Sequence, residues 1–227
     1  MRPASGTQYS VPMSLADVRS EYARLAPRYD RRWARYIART ARETLAEVRP
    51  KPGQRVLDAG CGSGALLEAL LSMQPGVRAA GLDASDAMLA VARERLPSAV
   101  ALSVGDVHAM PFTAASFDIV VSASSFHYWQ DKPQALHEVS RVLSPGGLLV
   151  LTDWCDDFLA CRVCDRILRV VDRAHAPIAG RAECEGTLRD AGFDAPTIRR
   201  FRVGWLWGMM TARARKPTAT GQLLTQP

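Results

Sequence analysis

A glycine-rich segment contains the residues whose spacing most clearly predicts ligand binding. Gly60, Gly62 and Gly64 follow a short apolar run that contains Asp58. Glycine is needed where a backbone turns tightly or a ligand approaches it, and the start of a following helix offers free N–H groups. By itself the segment fits any nucleotide cofactor. The spacing G-x-G-x-G differs from the usual dinucleotide pattern G-x-G-x-x-G, however, and the preceding acid could hold a cationic ammonium group.

Further polar side chains stand at the ends of neighbouring predicted strands. Asp83 ends the second strand, where a carboxylate can accept both hydroxyls of a ribose, and Asp106 follows the third, where it can accept from an adenine amino group. The fourth strand ends at Ser122 and points to the same crevice, since ligands bind at the carboxyl ends of strands in open α/β sheets. Simpler roles stay open: Asp58 could cap the glycine turn, and Asp83 or Asp106 could cap a helix.

One histidine is a candidate for proton transfer. His127 follows the fourth predicted strand and has aromatic residues on both sides, in Phe126-His127-Tyr128-Trp129. An ordinary histidine pKa near 6.5 suits proton removal at neutral pH. His127 is therefore a candidate general base, although it could equally pack beside a ligand.

The five cysteines allow three interpretations. Their number is odd and no secretion signal precedes them, so structural disulfides are not expected. Cys161 and Cys164 share a predicted helix face, where they could be small core residues, could bind a soft metal with Cys155 or Cys184, or could form a redox pair. We favour the core interpretation and predict no metal, because a helical C-x-x-C without a second pair is poor evidence for zinc.

Alternating strand and helix patterns position these residues. Strands are predicted at residues 55–59, 77–82, 100–104, 117–122 and 148–152, and helices at residues 17–48 (with a break at Pro27), 65–73, 85–96, 134–143, 157–174 and 183–191. The run Ser144-Pro145-Gly146-Gly147 is predicted to stop the helix at residues 134–143. Residues 197–203 and 205–213 predict a terminal hairpin, so one strand must run antiparallel to its partner. The pattern predicts a mostly parallel sheet covered by helices on both faces.

Residues 22–153 resemble the class I S-adenosylmethionine-dependent methyltransferases. The likeness is strongest to the small-molecule branch that includes the ubiquinone and menaquinone biosynthesis methyltransferases. It rests on the ordered set of segments 56–64, 81–85, 105–112, 117–122 and 136–147. The family has an α/β, Rossmann-like fold with a mostly parallel seven-stranded sheet and a reversed C-terminal strand. The resemblance therefore implies this fold, S-adenosylmethionine as cofactor, and methyl transfer as the reaction.

The resemblance also implies roles for particular residues. Gly60, Gly62 and Gly64 would line the methionine moiety, Asp83 would bind the ribose, and Asp106 with Val107 would hold the adenine. The other residues expected at the cofactor are Tyr22, Asp58, Cys61, Ala84, Met88 and Ser122. Residues 22–30 resemble the family's N-terminal lid, although Tyr22 and Tyr29 could simply pack on the sheet. His127 would stand beside the transferred methyl group, but no base is obligatory, because positioning can supply most of the acceleration.

Composition sets the domain organisation and the competing functions. The chain has 227 residues, 48% of them apolar, which suits one domain. We expect an N-terminal helical lid (1–50), a cofactor-binding core (51–153) and acceptor-side helices with the hairpin (154–227). No apolar h-region begins the sequence and no apolar run is long enough to span a bilayer, so a cytoplasmic protein without a membrane span is predicted.

The function predicted first is methylation of a small, apolar or aromatic metabolite on carbon, oxygen or nitrogen. The formal charge of +6 also motivates a nucleic-acid methyltransferase, but the residues after the fourth strand, Ser122-Ala123-Ser124-Ser125, lack the Asn/Asp-Pro-Pro-aromatic motif common in the amino-methylating branch. A nucleic-acid partner is therefore not predicted. A third alternative is a protein that binds the cofactor without turnover. The sequence does not specify the acceptor or the oligomeric state.

Overall fold

The computed structural model describes residues 15–158, 161–163, 166, 178–204 and 207–218. Two short 3-10 helices, Ala26–Arg28 and Phe126–Tyr128, interrupt the longer elements. In chain order these elements are α1 Leu15–Leu25, α2 Tyr29–Glu47, β1 Arg55–Ala59, α3 Ala65–Met73, β2 Arg78–Asp83, α4 Asp86–Arg95, β3 Ala101–Val104, β4 Phe117–Ala123, α5 Lys132–Val142, β5 Leu143–Trp154, α6 Arg181–Asp190, β6 Asp194–Val203 and β7 Trp207–Arg215.

The strands form one seven-stranded sheet with the order β3-β2-β1-β4-β5-β7-β6. Strands β1 to β5 are parallel, whereas β7 is antiparallel to both β5 and β6. The predicted α/β fold with a mostly parallel sheet and a reversed terminal strand is confirmed. The order places the carboxyl ends of β2, β1 and β4 side by side, which brings the predicted site residues to one edge of the sheet.

Two apolar layers hold the helices against the sheet. Successive residues of a strand point to opposite faces, so Val56 of β1 joins one layer while Leu57 joins the other. Helices α2, α3 and α4 pack on the Val56 face, and α5 and α6 pack on the Leu57 face. Helix α2 is further tied to the sheet by a buried hydrogen bond of 2.7 Å from Thr44 Oγ1 to Thr152 Oγ1 in β5. The N-terminal helices are therefore fixed to the edge of the sheet that carries the predicted site.

The start of the fifth strand differs from the prediction. Helix α5 ends at Val142, in agreement with the predicted stop, but β5 already begins at Leu143 and includes residues 144–147. Within this stretch the register with β4 shifts from Leu143 to Leu148, and Gly146 takes a positive φ of 74°. The distant Lys216 stabilises this bulge through backbone bonds to Gly146 and Gly147, a contact that no local pattern reveals. The predicted helix at residues 157–174 falls mostly outside the described residues. The predicted break at Pro27 is confirmed, because a 3-10 helix separates α1 from α2.

Candidate functional site

A cavity lies at the carboxyl ends of β1, β2 and β4 and beneath the N-terminal helices. Ten of the twelve residues predicted at the cofactor line it: Tyr22, Asp58, Gly60, Cys61, Gly62, Asp83, Ala84, Met88, Asp106 and Val107. Gly64, Ser122 and His127 do not line it. Most of the residues predicted at the cofactor therefore lie on one cavity, whereas Ser122 lies beside it, with its Oγ 3.1 Å from Ser125 Oγ.

The glycine-rich loop adopts conformations that favour glycine. Gly60 and Gly62 have φ values of +83° and +52°, and a Cβ on Gly60 would come 2.2 Å from Ser125 Oγ. Gly64 also has a positive φ, but its α-carbon faces α4, where an added Cβ would lie 2.7 Å from Leu96. Gly64 therefore allows close packing of two helices, whereas Gly60 and Gly62 open the backbone to the cavity.

Asp83 braces the glycine-rich loop from the end of β2. Its Oδ2 accepts the Gly62 N–H at 2.7 Å and its Oδ1 accepts the Ser85 N–H at 2.8 Å. The side chain of Ser85, not of Asp83, caps α4 by accepting from the Met88 N–H. The capping alternative for Asp83 is therefore wrong. Burial raises the pKa of Asp83, while its two backbone hydrogen bonds act in the opposite direction.

Asp58 is a buried carboxyl group with an unsatisfied oxygen. Its side chain is 1% exposed, and its Oδ1 has no hydrogen-bond partner among the described residues. The N–H groups of the glycine turn donate elsewhere, those of Gly60 and Cys61 to the Leu82 carbonyl at 2.7 and 3.0 Å. These contacts do not support a capping role for Asp58. Burial and the negative charge of Asp83 raise the pKa of Asp58 to about 8.

Asp106 and His108 form a polar pair where the chain leaves β3. Asp106 Oδ1 accepts the His108 N–H at 2.9 Å and lies 2.6 Å from His108 Nδ1. His108 Nε2 accepts the Asp131 N–H at 3.2 Å, so in the neutral ring Nδ1 carries the proton and donates to Asp106. The described part of this segment contains no helix for Asp106 to cap. Its second carboxylate oxygen, Oδ2, is thus the atom available to a ligand.

Three tyrosines of the N-terminal helices, spaced seven residues apart, line the cavity. Tyr22, Tyr29 and Tyr36 all line it, from α1 and α2. The rings of Tyr22 and Tyr29 are 5.7 Å apart, and Tyr22 also packs edge-on against Tyr128 at 5.9 Å. Burial raises the pKa of Tyr36 well above its ordinary value, so its hydroxyl stays protonated. Sequence reasoning missed Tyr36, although its spacing of seven from Tyr29 was a usable signal.

Asp30 joins α2 to α4 by an ion pair and to the glycine-rich loop by a hydrogen bond. Asp30, next to Tyr29, pairs with Arg95 of α4 and accepts a hydrogen bond of 2.6 Å from Ser63 Oγ. Arg95 also donates to the Ser63 carbonyl at 3.1 Å. These contacts connect α2, the glycine-rich loop and α4 at one point. They span 33 and 65 positions of sequence, so local pattern could not reveal them.

His127 lies behind the cavity wall rather than on it. It is 7% exposed, and both its backbone N–H and its ring Nδ1 lie 2.8 Å from oxygens of the Asp153 carboxylate. Its ring stacks on Trp154 at 5.0 Å. With Nδ1 donating to Asp153, Nε2 is the basic nitrogen of the neutral ring. The pair fixes the 3-10 helix that carries Tyr128, which does line the cavity.

Glu138 and Arg141 hold the segment that carries Asp106 against α5. Glu138 accepts the Met110 N–H at 2.9 Å and pairs with Arg141 at 2.7 Å. Arg141 in turn donates to the carbonyls of Phe112 and Met110 at 2.7 and 3.1 Å. The sequence pattern predicted no individual role for Glu138 or Arg141. In the structure, these two residues support the loop between β3 and β4.

The described cysteines are buried thiols. Cys155 and Cys184 lie in the apolar layer of α5 and α6, and Cys161 Sγ accepts the Gly208 N–H at 2.8 Å. Burial raises the pKa of the Cys155 thiol to about 11 and that of Cys184 to about 12. These positions agree with the core interpretation. Cys164 lies outside the described residues, and among the described ones no three His, Cys, Asp or Glu side chains are grouped to hold a metal ion.

The charge of the cavity wall is one-sided. Asp58, Asp83 and Asp106 line it, and no lysine or arginine is among its described lining residues. Such a wall favours a cationic ligand and disfavours a pyrophosphate. Within the described residues, no helix combines the length and apolar character needed to cross a membrane.

Comparison with known proteins identifies relatives for the central segment. Residues 57–151 match a family model described as a methyltransferase domain. Nocamycin O-methyltransferase of Saccharothrix syringae is 35% identical over 58% of this chain and 49% of its own length. Demethylmenaquinone methyltransferase of Thermotoga maritima is 34% identical over 55% of this chain and 51% of its own length. The chain thus spans about half the length of these curated relatives.

A solved structure shares the fold over most of the chain. It is an S-adenosylmethionine-dependent methyltransferase from Thermotoga maritima, with a TM-score of 0.72 at 20% identity. The superposition covers 87% of this chain and 99% of that one. The family resemblance predicted from the sequence is confirmed for the matched segment, which contains the glycine-rich loop, Asp83 and Asp106.

Proposed function

We propose, because residues 57–151 match a methyltransferase domain, that this chain transfers the methyl group of S-adenosylmethionine to a small apolar or aromatic metabolite. The single observation that carries the proposal is the charge of the cavity. Its three acidic side chains, without a described lysine or arginine, suit a ligand that bears both a sulfonium and an ammonium group. A bound ammonium group would favour the ionised form of Asp58. A dinucleotide would instead bring a pyrophosphate against Asp58 and Asp83.

The residues on the cavity wall fit the parts of this cofactor. Asp83 has lone pairs left for the ribose hydroxyls, Asp106 Oδ2 is available to the adenine amino group with Val107 alongside, and the backbone at Gly60 and Gly62 is open to the methionine moiety. Cys61, Ala84 and Met88 line the same wall. We assign Asp58 to the ammonium group, because its unsatisfied oxygen would gain a partner there.

The mechanism follows from positioning. When bound, the cofactor would supply an electrophilic methyl group on its sulfonium sulfur. This group would pass to the acceptor, with S-adenosylhomocysteine as the leaving group and the acceptor's proton released to solvent. The protein holds the two reactants close together and correctly oriented. Tyr22, Tyr29 and Tyr36 exclude water from the cavity that contains them. Proximity and orientation of the reactants can lower the activation barrier by about 7–11 kcal/mol, so the proposal requires no catalytic base. The aromatic side chains on the wall suit a flat or apolar acceptor.

A catalytic role for His127 stays a prediction. Asp153 contacts Nδ1 of the ring, as the carboxylate beside a catalytic histidine does, and leaves Nε2 as the basic nitrogen. The ring is nevertheless held behind the wall, stacked on Trp154. The contacts therefore favour His127 as the residue that fixes the Tyr128 turn, and its action as a base requires the acceptor to reach behind that turn.

The net charge of +6 favours a second candidate, a nucleic-acid methyltransferase. Many of the arginines are already paired, as Arg55 is with Asp118, Arg95 with Asp30 and Arg199 with Glu43. This pairing favours the small-molecule proposal, for which a cytoplasmic location is also proposed. A cofactor-binding protein without turnover has the same cavity and differs only in activity.

A labelled-methyl assay tests the proposed function. Purified protein is incubated with methyl-labelled S-adenosylmethionine and, separately, with a small-metabolite extract, total RNA or DNA. We expect label in a small organic product. Label in nucleic acid would favour the second candidate. Cofactor binding without transfer to any fraction would favour the non-catalytic alternative.

Breaking the ion pair between Asp30 and Arg95 should speed ligand release. Asp30→Asn removes the charge that Arg95 and Ser63 contact, so the lid should open more easily. Losing one partly buried charge-assisted contact predicts a dissociation rate roughly 5–10-fold faster. Stopped-flow displacement of S-adenosylhomocysteine measures it. Glu185→Gln, which breaks the exposed pair with Arg189 on α6, is the matched control and should leave the rate unchanged. An Asp30→Asn rate equal to wild type would contradict a holding role.

A further inference from the structure

Three polar side chains form a chain of hydrogen bonds at the edge of the cavity. Trp154 Nε1 donates to Tyr36 Oη at 2.6 Å, and Tyr36 Oη lies 2.6 Å from Ser124 Oγ. The three residues come from the end of β5, from α2 and from the turn after β4. Tyr36 and Ser124 both line the cavity, whereas Trp154 stands behind them.

A count of hydroxyl hydrogens shows that this hydrogen-bonded trio has one hydrogen left to donate. The two hydroxyl groups carry two hydrogens, and one of them makes the bond between Tyr36 and Ser124. Trp154 is a donor only, so it occupies a lone pair of Tyr36 and uses no hydroxyl hydrogen. Within the described residues, neither hydroxyl has another acceptor at hydrogen-bond distance. One hydroxyl hydrogen is therefore free for a partner in the cavity.

The chemistry of the two hydroxyls favours Ser124 as the carrier of the free hydrogen. Either oxygen could donate in the bond between Tyr36 and Ser124. A phenol is a stronger donor than an alcohol, and an alcohol oxygen is the better acceptor, so we assign Tyr36 as the donor. Ser124 also has a positive φ of 59°, uncommon for a residue with a side chain. Its backbone N–H is held by the Thr152 carbonyl at 2.7 Å. Backbone strain of this kind persists where surrounding contacts enforce it, and it is concentrated at ligand sites.

We propose that Ser124 is a ligand-binding residue whose hydroxyl donates to an oxygen atom of the bound molecules. The inference rests on the proposed function and deepens it. Ser124 follows β4, the strand next to β1 and its glycine-rich loop, so the partner lies at the methionine end of the cavity. Two oxygens meet this description: the carboxylate of the cofactor, and a carbonyl or hydroxyl oxygen of the methyl acceptor.

The test uses variants that remove the hydroxyl and keep the fold. Ser124→Ala removes it directly, and Ser124→Gly removes it while relieving the positive φ, so at least one folded variant is available. Ser116→Ala, which removes an exposed hydroxyl paired with Thr113, is the matched control. Calorimetry measures the affinity for S-adenosylhomocysteine and for 5′-methylthioadenosine, which lacks the amino-acid group. The labelled-methyl assay, run on a dilution series of metabolite extract, measures use of the acceptor.

The two possible partners of the Ser124 hydroxyl predict different results. If Ser124 binds the cofactor carboxylate, both variants bind S-adenosylhomocysteine roughly 5–10-fold more weakly and 5′-methylthioadenosine as wild type does. If it binds the acceptor, both affinities stay unchanged and half-maximal transfer needs roughly fivefold more extract. Variants that match wild type in all three measurements overturn the inference. If wild type itself fails to bind S-adenosylhomocysteine, the proposed function fails instead.

Discussion

Asp83→Ala should weaken S-adenosylhomocysteine binding by at least about tenfold and up to about a hundredfold. The substitution removes the carboxylate assigned to the ribose. It also removes the acceptor that Gly62 and Ser85 use, at 2.7 and 2.8 Å. The ligand thus loses direct hydrogen bonds, and the loop that receives its methionine moiety loses a brace. Isothermal titration at fixed pH measures the change.

Asp86→Ala is the matched control for Asp83→Ala. Asp86 lies three residues further along the chain, and its exposed side chain pairs with Arg93 at 3.3 Å. Affinity should be unchanged in this variant. If a folded Asp83→Ala protein binds as tightly as wild type, the ribose does not lie at the end of β2.

Ligand affinity should rise with pH through Asp58. The pKa of this carboxyl group is raised to about 8, so it is mostly protonated at pH 7 in the empty cavity. A bound ammonium group favours the ionised form, so binding releases a proton wherever the empty site is protonated. Affinity for S-adenosylhomocysteine should therefore increase by up to about tenfold per pH unit between roughly pH 6 and pH 8, and level off above.

Two controls separate this effect from general changes with pH. 5′-Methylthioadenosine has no ammonium group and should bind almost independently of pH. Asp58→Asn cannot ionise and should bind S-adenosylhomocysteine with a flat profile. Titrations in two buffers of different ionisation enthalpy would also detect proton release near pH 7 in wild type. Equal wild-type affinities at pH 6 and pH 8 would show that Asp58 does not face the ammonium group.

The strand pattern of the sequence predicts which acidic residues line one cavity, for a physical reason. Asp58 lies near the end of β1, Asp83 ends β2 and Asp106 follows β3, and the carboxyl ends of parallel strands share one edge of the sheet. Knowing the strands therefore fixes which residues converge. The need for glycine in the loop is also predictable from the sequence, and the structure gives the reason at Gly60, where a side chain would collide with Ser125.

The contacts that close the site could not be predicted in this way. Tyr36 meets Ser124 across 88 positions and Trp154 across 118, so their pairing depends on how α2 lies over the sheet. The same holds for Asp30 and Arg95, which join the lid to α4. His127 stands two residues beyond the cavity-lining Ser125, but its bonds to Asp153 turn it behind the wall. The sequence predicted that His127 follows the end of β4, but it could not predict the direction in which the His127 side chain points.

The measurement that most directly tests the central claim is a calorimetric comparison of S-adenosylhomocysteine with NAD on the same wild-type protein. A cavity lined by Asp58, Asp83 and Asp106 should bind S-adenosylhomocysteine with one site per chain and raise the melting temperature through linkage. NAD should give no heat of binding and no shift, because its pyrophosphate would face these carboxylates. Tight NAD binding, with no response to S-adenosylhomocysteine or S-adenosylmethionine, would contradict the assignment of this cavity to a methyl donor.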